Sequence, residues 1–451
     1  MKRTIAVIIL LSFISAPLAR ASSDAPIVID HIKPIKEEPV KTYNIAVPLT
    51  LSECYQLALK QSEIIAIDEG LIRQAEARFL QAMSIMMPYF SFQSSDLQEA
   101  IPNDAGTTFS TLKPTKSSER QFQVKQILFS GFKAFAAMSG SKLERQQREQ
   151  EKVRAEQLLL IDVSDAFYLV MEKREDLKAL LRIKKALADR VKELGIREDL
   201  GRSRPSEVAY AKSQLYTTEA NIKLVISQEI VARQLLEFLI GRGADKLSDS
   251  YEIPSYLQPE EYFVEKFMNR PDIKALDYAW RFSEKQLEVV NSDFLPTVSW
   301  QGNFYTQRTA FDKGTDWDVI LNISVPIFSG TEVLGKSREY KLKAQEQQLR
   351  YIRLKRLAPF DIKDSYVRFD TALSVYGNLR NAFRTAKVNY YLQRKDYERS
   401  LVSNLDVLAA IQTLQNSQRD YIHAIYEAKR LYWKLLVSAG ENVQEALNDA
   451  V

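Results

Sequence analysis

The stretch Gln126-Ile127-Leu128-Phe129-Ser130-Gly131-Phe132 is answered 199 residues later by Val325-Pro326-Ile327-Phe328-Ser329-Gly330-Thr331. The offset persists: Asp165 answers to Asp364, Glu207-Val208 to Asp406-Val407, Ala211 and Leu215 to Ala410 and Leu414, and Gly241 to Gly440. Upstream the register changes to about 208, with Pro88 answering to Pro296, so the first copy carries about nine extra residues before Phe129. A chain written twice buries apolar surface between equivalent halves and has no need of one central cleft.

Both quoted stretches close a run with period two. Trp317, Val319, Leu321, Ile323 and Val325 share one face, against Asp318, Asn322 and Ser324, with Ile320 as the exception. Val298, Trp300 and Phe304 alternate with Ser299, Gln301 and Asn303, and Phe90, Phe92, Phe122 and Val124 give a weaker pair of strands in the first copy. Four strands with one apolar face cannot close, since barrels with an interior begin at about eight. The consistent solutions are a soluble sandwich or a barrel pooled from several protomers.

After each second strand the pattern is helical and long. Phe132 to Leu194 contains no proline and only Gly140 interrupts it, a reach of about 95 Å at 1.5 Å per residue. The second copy runs from Thr331 to about Arg399, and Pro359 predicts a kink or break near its middle. Returning helices carry seam positions at heptad spacing: Val208, Ala211, Leu215, Ile222, Val225, Ala232, Leu236 and Leu239 in one, Val407, Ala410, Leu414, Tyr421, Ala424, Ala428, Leu431 and Leu435 in the other. Long antiparallel helical hairpins follow.

The organisation is then a signal peptide at 1–21, an extended tether at 22–48, a first repeat at 49–241, a linker at 242–256, a second repeat at 257–440 and a short tail at 441–451. Strands are expected at about 88–98 and 118–128, then 296–307 and 317–328. Long helices are expected at about 132–200 and 206–240, then 331–399 and 405–439. The first helix starts at Thr50, which has capping-box spacing to Glu53.

Export is read from Lys2 and Arg3, the apolar run Ile5 to Ile14 and the small-residue site Ala19-Arg20-Ala21, with no Cys beside Ser22 to carry a lipid. Without Lys2, Arg3 and Arg20, 59 basic residues face 58 acidic ones, which leaves no nucleic-acid footprint. Cys54 is the only cysteine, and His31 and His423 are the only histidines, so a disulfide scaffold, a metal site and a cofactor are not expected. Outside the signal no apolar run is long enough for a membrane helix, so any span must be a β-barrel.

LTLSECYQLALKQSEII, the junctions QILFSGF and VPIFSGT, the helix starts SEVAYAKSQL and LDVLAAIQTL, and the closing Leu-Ile-Gly and Ser-Ala-Gly occur in this order. The chain resembles, over nearly all of its mature length, the TolC-type outer-membrane efflux protein family. The resemblance implies a mixed α/β membrane protein that trimerises into one 12-stranded β-barrel in the outer membrane of a Gram-negative bacterium, with an α-helical tunnel in the periplasm. It implies the exit duct of a tripartite efflux pump or a type I secretion system, in contact with outer-membrane lipid. Its partners would be a periplasmic adaptor (membrane fusion) protein and, through it, an inner-membrane pump. Adaptor contact would fall on the turns Leu200, Gly201, Arg202, Ser203 and Ser400, Leu401, Val402, Ser403. Gly201 agrees with the family, while Arg202, Arg204, Pro205 and Ser400 depart from its pattern. Tyr390, Tyr391, Arg394, Asp396 and Glu398 approach the second turn and leave two readings open, ionic links that constrict the channel mouth or an ordinary solvated face, as most charged helical faces are.

Other readings compete. Gly330 to Ser337 matches the phosphate-loop pattern GxxxxGK followed by Ser, but the first copy has Ala136, Ala137 and Met138 at the corresponding positions, and no parallel βαβ unit exists, so no nucleotide is expected. Asp165 and Asp364 read as solvated or salt-bridged carboxylates rather than a catalytic pair. A soluble periplasmic coiled-coil adaptor or spacer is the alternative function, and no constellation supports an enzyme.

Overall fold

Thr50 opens the first helix with a reciprocal cap: its Oγ1 accepts from Glu53 N at 3.3 Å, and Glu53 Oε2 accepts from Thr50 N at 2.8 Å. In the computed structural model, which describes residues 48–98, 116–249, 251–254, 256–309 and 315–441, this helix α1 spans Leu51–Gln61. The signal peptide, nearly all of the tether and nearly all of the C-terminal tail lie outside the described residues. The single early helix of the sequence reading is two helices. Ser62 takes an extended conformation (φ −67°, ψ 114°) and recaps α2, Glu63–Ser84, through its Oγ to Ile65 N.

Strands β1 (Tyr89–Gln98) and β2 (Lys116–Ser130) follow, then the long helix α3 (Lys133–Asp199) and its return α4 (Pro205–Ile240). The second copy begins with a short α5 (Glu260–Glu265) and α6 (Pro271–Asn291). It continues through β3 (Thr297–Arg308), β4 (Trp317–Ser324), the long α7 (Glu332–Glu398) and its return α8 (Asn404–Ala439). Both long helices have 67 residues, so each spans about 100 Å. Their first and last residues, and those of α4 and α8, differ by the 199 of the sequence repeat. The fold is thus a mixed α/β architecture of two repeats.

Pro359 lies inside α7, which runs through it without interruption. The loss of one backbone donor is local there, and the flanking Ala358 and Ile362 are fully buried, so packing on the rest of the molecule holds the turn together.

The four strands form one antiparallel sheet in the order β1-β2-β3-β4, which leaves β1 and β4 as open edges. β4 ends at Ser324, short of the expected 328. In the first copy, residues 126–130 at the end of β2 pair only with β3, a strand of the other repeat. The corresponding residues after β4 have no such strand beside them among the described residues.

Each long helix packs on its own return helix; α3 also packs on α2, α6 and α8, and α7 also packs on α6. The heptad seam is buried where expected at Val208, Ala211, Ile222, Val225, Ala232 and Leu236, and again at Val407, Ala410, Leu414, Ala428 and Leu435. The main core gathers the middle of α3 (Leu160, Phe167, Tyr168), α1 (Cys54, Tyr55), and Leu236, Phe369 and Trp433. Lys429, buried against Asp249 and the Tyr251 carbonyl, ties the linker between repeats to α8.

Candidate functional site

Two regions carry the chemistry, at opposite ends of the long helices. The first is the sheet. Register places Phe92, Phe122, Phe304 and Trp317 in one row across all four strands, each more than half exposed, with Phe92 and Phe122 ring centroids 5.1 Å apart. The next row on that face is Phe90, Val124, Gly302 and Val319, followed by Gln126, Trp300 and Leu321. No second sheet covers this face among the described residues, as the soluble-sandwich alternative would require.

The opposite face is polar and cross-linked. Gln121 Nε2 donates to Gln93 Oε1 (3.0 Å), Gln93 Nε2 to Gln123 Oε1 (3.3 Å) and Gln123 Nε2 to Asn303 Oδ1 (3.2 Å). Asn303 Nδ2 and the Tyr305 hydroxyl then donate to the two oxygens of Asp318, each at 2.7 Å. One apolar face and one hydrogen-bonded polar face are what a lipid-to-water wall needs.

The second region is the pair of turns that join long and return helices. At the first, Leu200, Gly201, Arg202 and Ser203 reverse the chain, with Gly201 at φ 67°, and Pro205 sets the first turn of α4. At the second, Ser400, Leu401, Val402 and Ser403 do the same with Ser400 at φ 61°. Ser403 caps α8 in a capping box with Asp406, whose hydrogen bonds from Ser403 hold its carboxyl below the usual range. Leu200 and Leu401 are both exposed.

Just above these turns α3, α7 and α8 enclose a groove of about 440 Å³. Tyr390, Arg394 and Glu398 of the candidate lock line it, with Arg394 Nε 3.5 Å from Glu398. Tyr391 and Asp396 do not. The residues that join the repeats here are ones the sequence reading passed over. Arg190 of α3, only 7% exposed, donates from Nε to Asn404 Oδ1 at 2.6 Å and from Nη1 to Glu193 at 2.7 Å, and its guanidinium lies 3.7 Å from the Tyr397 ring centre. Arg190 Nη2 and Asn404 Nδ2 are buried without a hydrogen-bond partner, so the contact is tight but under-satisfied. No sequence signal isolates Arg190 among the many cations of α3.

The phosphate-loop match does not form one. Helix α7 is already running at Glu332, Gly335 N is bonded to the Thr331 carbonyl, Lys336 pairs with Glu332 at 2.5 Å and Ser337 donates to Asn291. From Gly335 onward the amides of the match are committed to the helix, so the stretch forms no open phosphate loop. Asp364 pairs with Arg368 on its own helix, so Asp165 and Asp364 form no common site.

Residues 266–441 match the sequence profile of the family described as outer membrane efflux protein. The matched residues cover most of the second repeat. Among solved structures, its fold is similar to the outer membrane protein VceC of Vibrio cholerae, with 19% identity and a TM-score of 0.75 over 87% of this chain and 96% of that one. It is similar to the Campylobacter jejuni CmeC outer membrane channel at 17% identity and a TM-score of 0.76, over 89% of each chain. It is also similar to the open state of the Neisseria gonorrhoeae MtrE outer membrane channel, at 18% identity and a TM-score of 0.69, over 87% of this chain and 89% of that one. Comparison with curated protein sequences gives no significant match.

Proposed function

We propose that three copies of this chain pool their four-stranded sheets into one 12-stranded barrel in the outer membrane, and that their helices form a periplasmic duct through which substrate passes passively. The observation that carries this reading is the two-faced sheet with open edges. An aromatic row on one side suits an interfacial girdle, and the amide network on the other suits a watery lumen. Closure on assembly removes both unpaired edges. Energy would come from an inner-membrane pump through an adaptor that engages the turns at Leu200–Ser203 and Ser400–Ser403. Until then Tyr390, Tyr391, Arg394, Asp396 and Glu398, together with Arg190, hold the duct narrow. A bistable contact at a helical turn is the kind of element that a docking partner can bias.

The test is the protein mass of the particle extracted by detergent from outer-membrane fractions, corrected for bound detergent, followed by conductance in planar bilayers. Three chains and discrete channels are expected. A monomer recovered without detergent from the periplasm overturns the shared barrel.

A further inference from the structure

Charge is unevenly placed along the long helices. Residues 133–176 of α3 carry eight basic and nine acidic side chains, whereas residues 178–192, which approach the first turn, carry six basic ones against Asp189 alone. The equivalent segment of α7, 377–391, has Arg380, Arg384 and Lys387 and no acidic residue. The return helices beside them, at 211–225 and 410–424, add three basic and two acidic residues. Lys184, 2.9 Å from Glu219, and the ring of Tyr421, stacked on Tyr376 and Phe383, fix these return segments at this level. Twelve basic side chains thus face three acidic ones in one band. Basic residues exceed acidic ones by only one in the mature chain, so the rest of it is net acidic.

Neighbouring acids do not neutralise the band. Farther from the turns α3 meets α8 along an ionic seam: Glu172 lies 3.3 Å from His423 and 3.1 Å from Arg430, and Asp176 takes both Nε (2.9 Å) and Nη2 (3.1 Å) of Arg419. Those carboxylates are committed within the protomer. Inside the band Lys178 and Arg190 pair with Glu175 and Glu193, each at 2.7 Å. Arg182, Lys185, Lys192, Arg380, Arg384 and Lys387 are all exposed and have no ion-pair partner among the described residues. Arg380, Arg384 and Lys387 recur at i, i+4 and i+7, so they share one helix face. Like charges at that spacing destabilise a helix, and nothing in the protomer offsets the repulsion. Arg182 and Lys185 line the groove above the turns together with Arg394 of α7.

We infer that this band is the selectivity element of the duct, and that the substrates it admits are small organic anions bearing carboxylate, sulfonate or phosphate groups. The inference rests on the duct reading, in which the groove lined by Arg182, Lys185 and Arg394 borders the aperture. Three protomers set three bands around one narrow opening, where low-dielectric walls focus the field and concentrate counter-ions. Rings of Arg and Lys are what an anion-conducting pore presents. Exposed side chains without fixed partners also hold an anion weakly enough to release it, as conduction requires. Cations meet the same field as a barrier.

Reversal potentials in a KCl gradient are measured on the detergent-extracted particle in planar bilayers, at low ionic strength so that screening does not hide the band. Chloride is expected to be about tenfold more permeant than potassium, the low end of the counter-ion enrichment in a charged cleft. Lys185→Glu combined with Arg384→Glu and Lys387→Glu should abolish or invert the preference. Lys341→Glu, the same kind of charge change nearer the sheet, should leave it intact. Equal or cation-favouring permeability in the unsubstituted channel overturns the inference and leaves the duct standing. A monomeric particle without channels overturns both. Fluorescence anisotropy of pyranine, a pyrene trisulfonate, gives a second readout that needs no open aperture. Binding that weakens with added salt and is lost in the triple variant is expected. No binding overturns the inference, as does pyranine bound by a channel that fails to discriminate chloride from potassium, since the band then lies on the outer wall.

Discussion

Ser400 holds, at φ 61°, the left-handed backbone position that Gly201 holds at φ 67° in the other repeat. The hydrogen bonds around them are also equivalent. Arg202 N reaches the Arg197 carbonyl at 2.7 Å, and Leu401 N reaches the Asp396 carbonyl at 2.9 Å, so both long helices end in the same motif. The side chain is the difference, and an L-residue in this region is strained by about 1 kcal/mol.

Ser400→Gly is therefore expected to stabilise the protein by about 0.5 kcal/mol per protomer, because relief of strain slightly exceeds the entropy that glycine adds to the unfolded chain. Gly201→Ser should cost about 1 kcal/mol, with no clash, since nothing lies within 4 Å of the added Cβ. Thermal unfolding of the detergent-solubilised particle reads both. A fall in melting temperature for Ser400→Gly would mean that its hydroxyl contributes more than its backbone strain costs.

Arg190→Met is expected to widen the isolated channel. It removes the 2.6 Å bond to Asn404 and the charge over Tyr397, which together tie α3 to the start of α8 and the end of α7. Breaking a buried charged contact of this kind costs about 2–4 kcal/mol. Arg394→Ala makes the informative comparison. Among the described residues Arg394 pairs with Glu398 at 3.5 Å, an exposed pair on the same helix worth about a few tenths of a kcal/mol. A rise in conductance for Arg394→Ala as large as that for Arg190→Met would show that Arg394 acts across a subunit boundary. Unchanged conductance in both variants would remove this groove from the gate.

The limits of the sequence reading follow the range of each signal. The constant offset, the period-two strands and the heptad seams are patterns of many residues, and they give the two repeats, the long helix pairs and the four strands, while their joining into one sheet is shown by the structure. Pro359 is a single residue read by local propensity, and Ser62 is a single residue that no pattern singles out. At Ser62 a hydroxyl recaps a helix within a turn, and at Pro359 buried neighbours hold a helix together against its proline. The Arg190–Asn404 contact joins residues 214 apart, and no local rule points to it. Asp364 behaves as helix spacing predicts, with Arg368 four residues away.

The ionic seam predicts acid sensitivity of a defined sign. Burial alone would raise the Glu172 carboxyl, but Lys173, Arg430 and His423 outweigh it and leave its pKa lowered. Asp272, half-buried, is lowered by Arg270 and Arg154 against its own burial. A carboxylate whose folded pKa lies below its unfolded value of about 4 stabilises the fold fully above that value and loses the contribution as pH falls through the folded pKa. Melting temperature should therefore hold from neutrality to about pH 5 and fall below about pH 4. Glu172→Gln should lower it by the equivalent of about 2–3 kcal/mol at pH 7, because Arg430 loses a buried partner, and should shrink the acid-induced fall. A wild-type profile that rises on acidification would contradict this assignment.

Cys54 tests how firmly α1 is held against α3. Its side chain is fully buried in the main core, and burial, followed by the nearby Glu53 carboxylate, pushes the thiol up to about 12 against a smaller opposing effect of Arg242. At pH 8 the thiolate is then about one part in ten thousand, and the sulfur has no path to solvent. N-ethylmaleimide should leave the folded protein unmodified over hours and label it stoichiometrically in denaturant, as intact mass would record. Cys54→Ser should cost about 1–3 kcal/mol, since the hydroxyl enters an apolar site, whereas Cys54→Ala should cost about 1 kcal/mol for the small void. Labelling of the native protein within minutes would mean that α1 detaches readily. The Thr50–Glu53 cap would then fix the geometry of this helix without securing it to the long helix beneath.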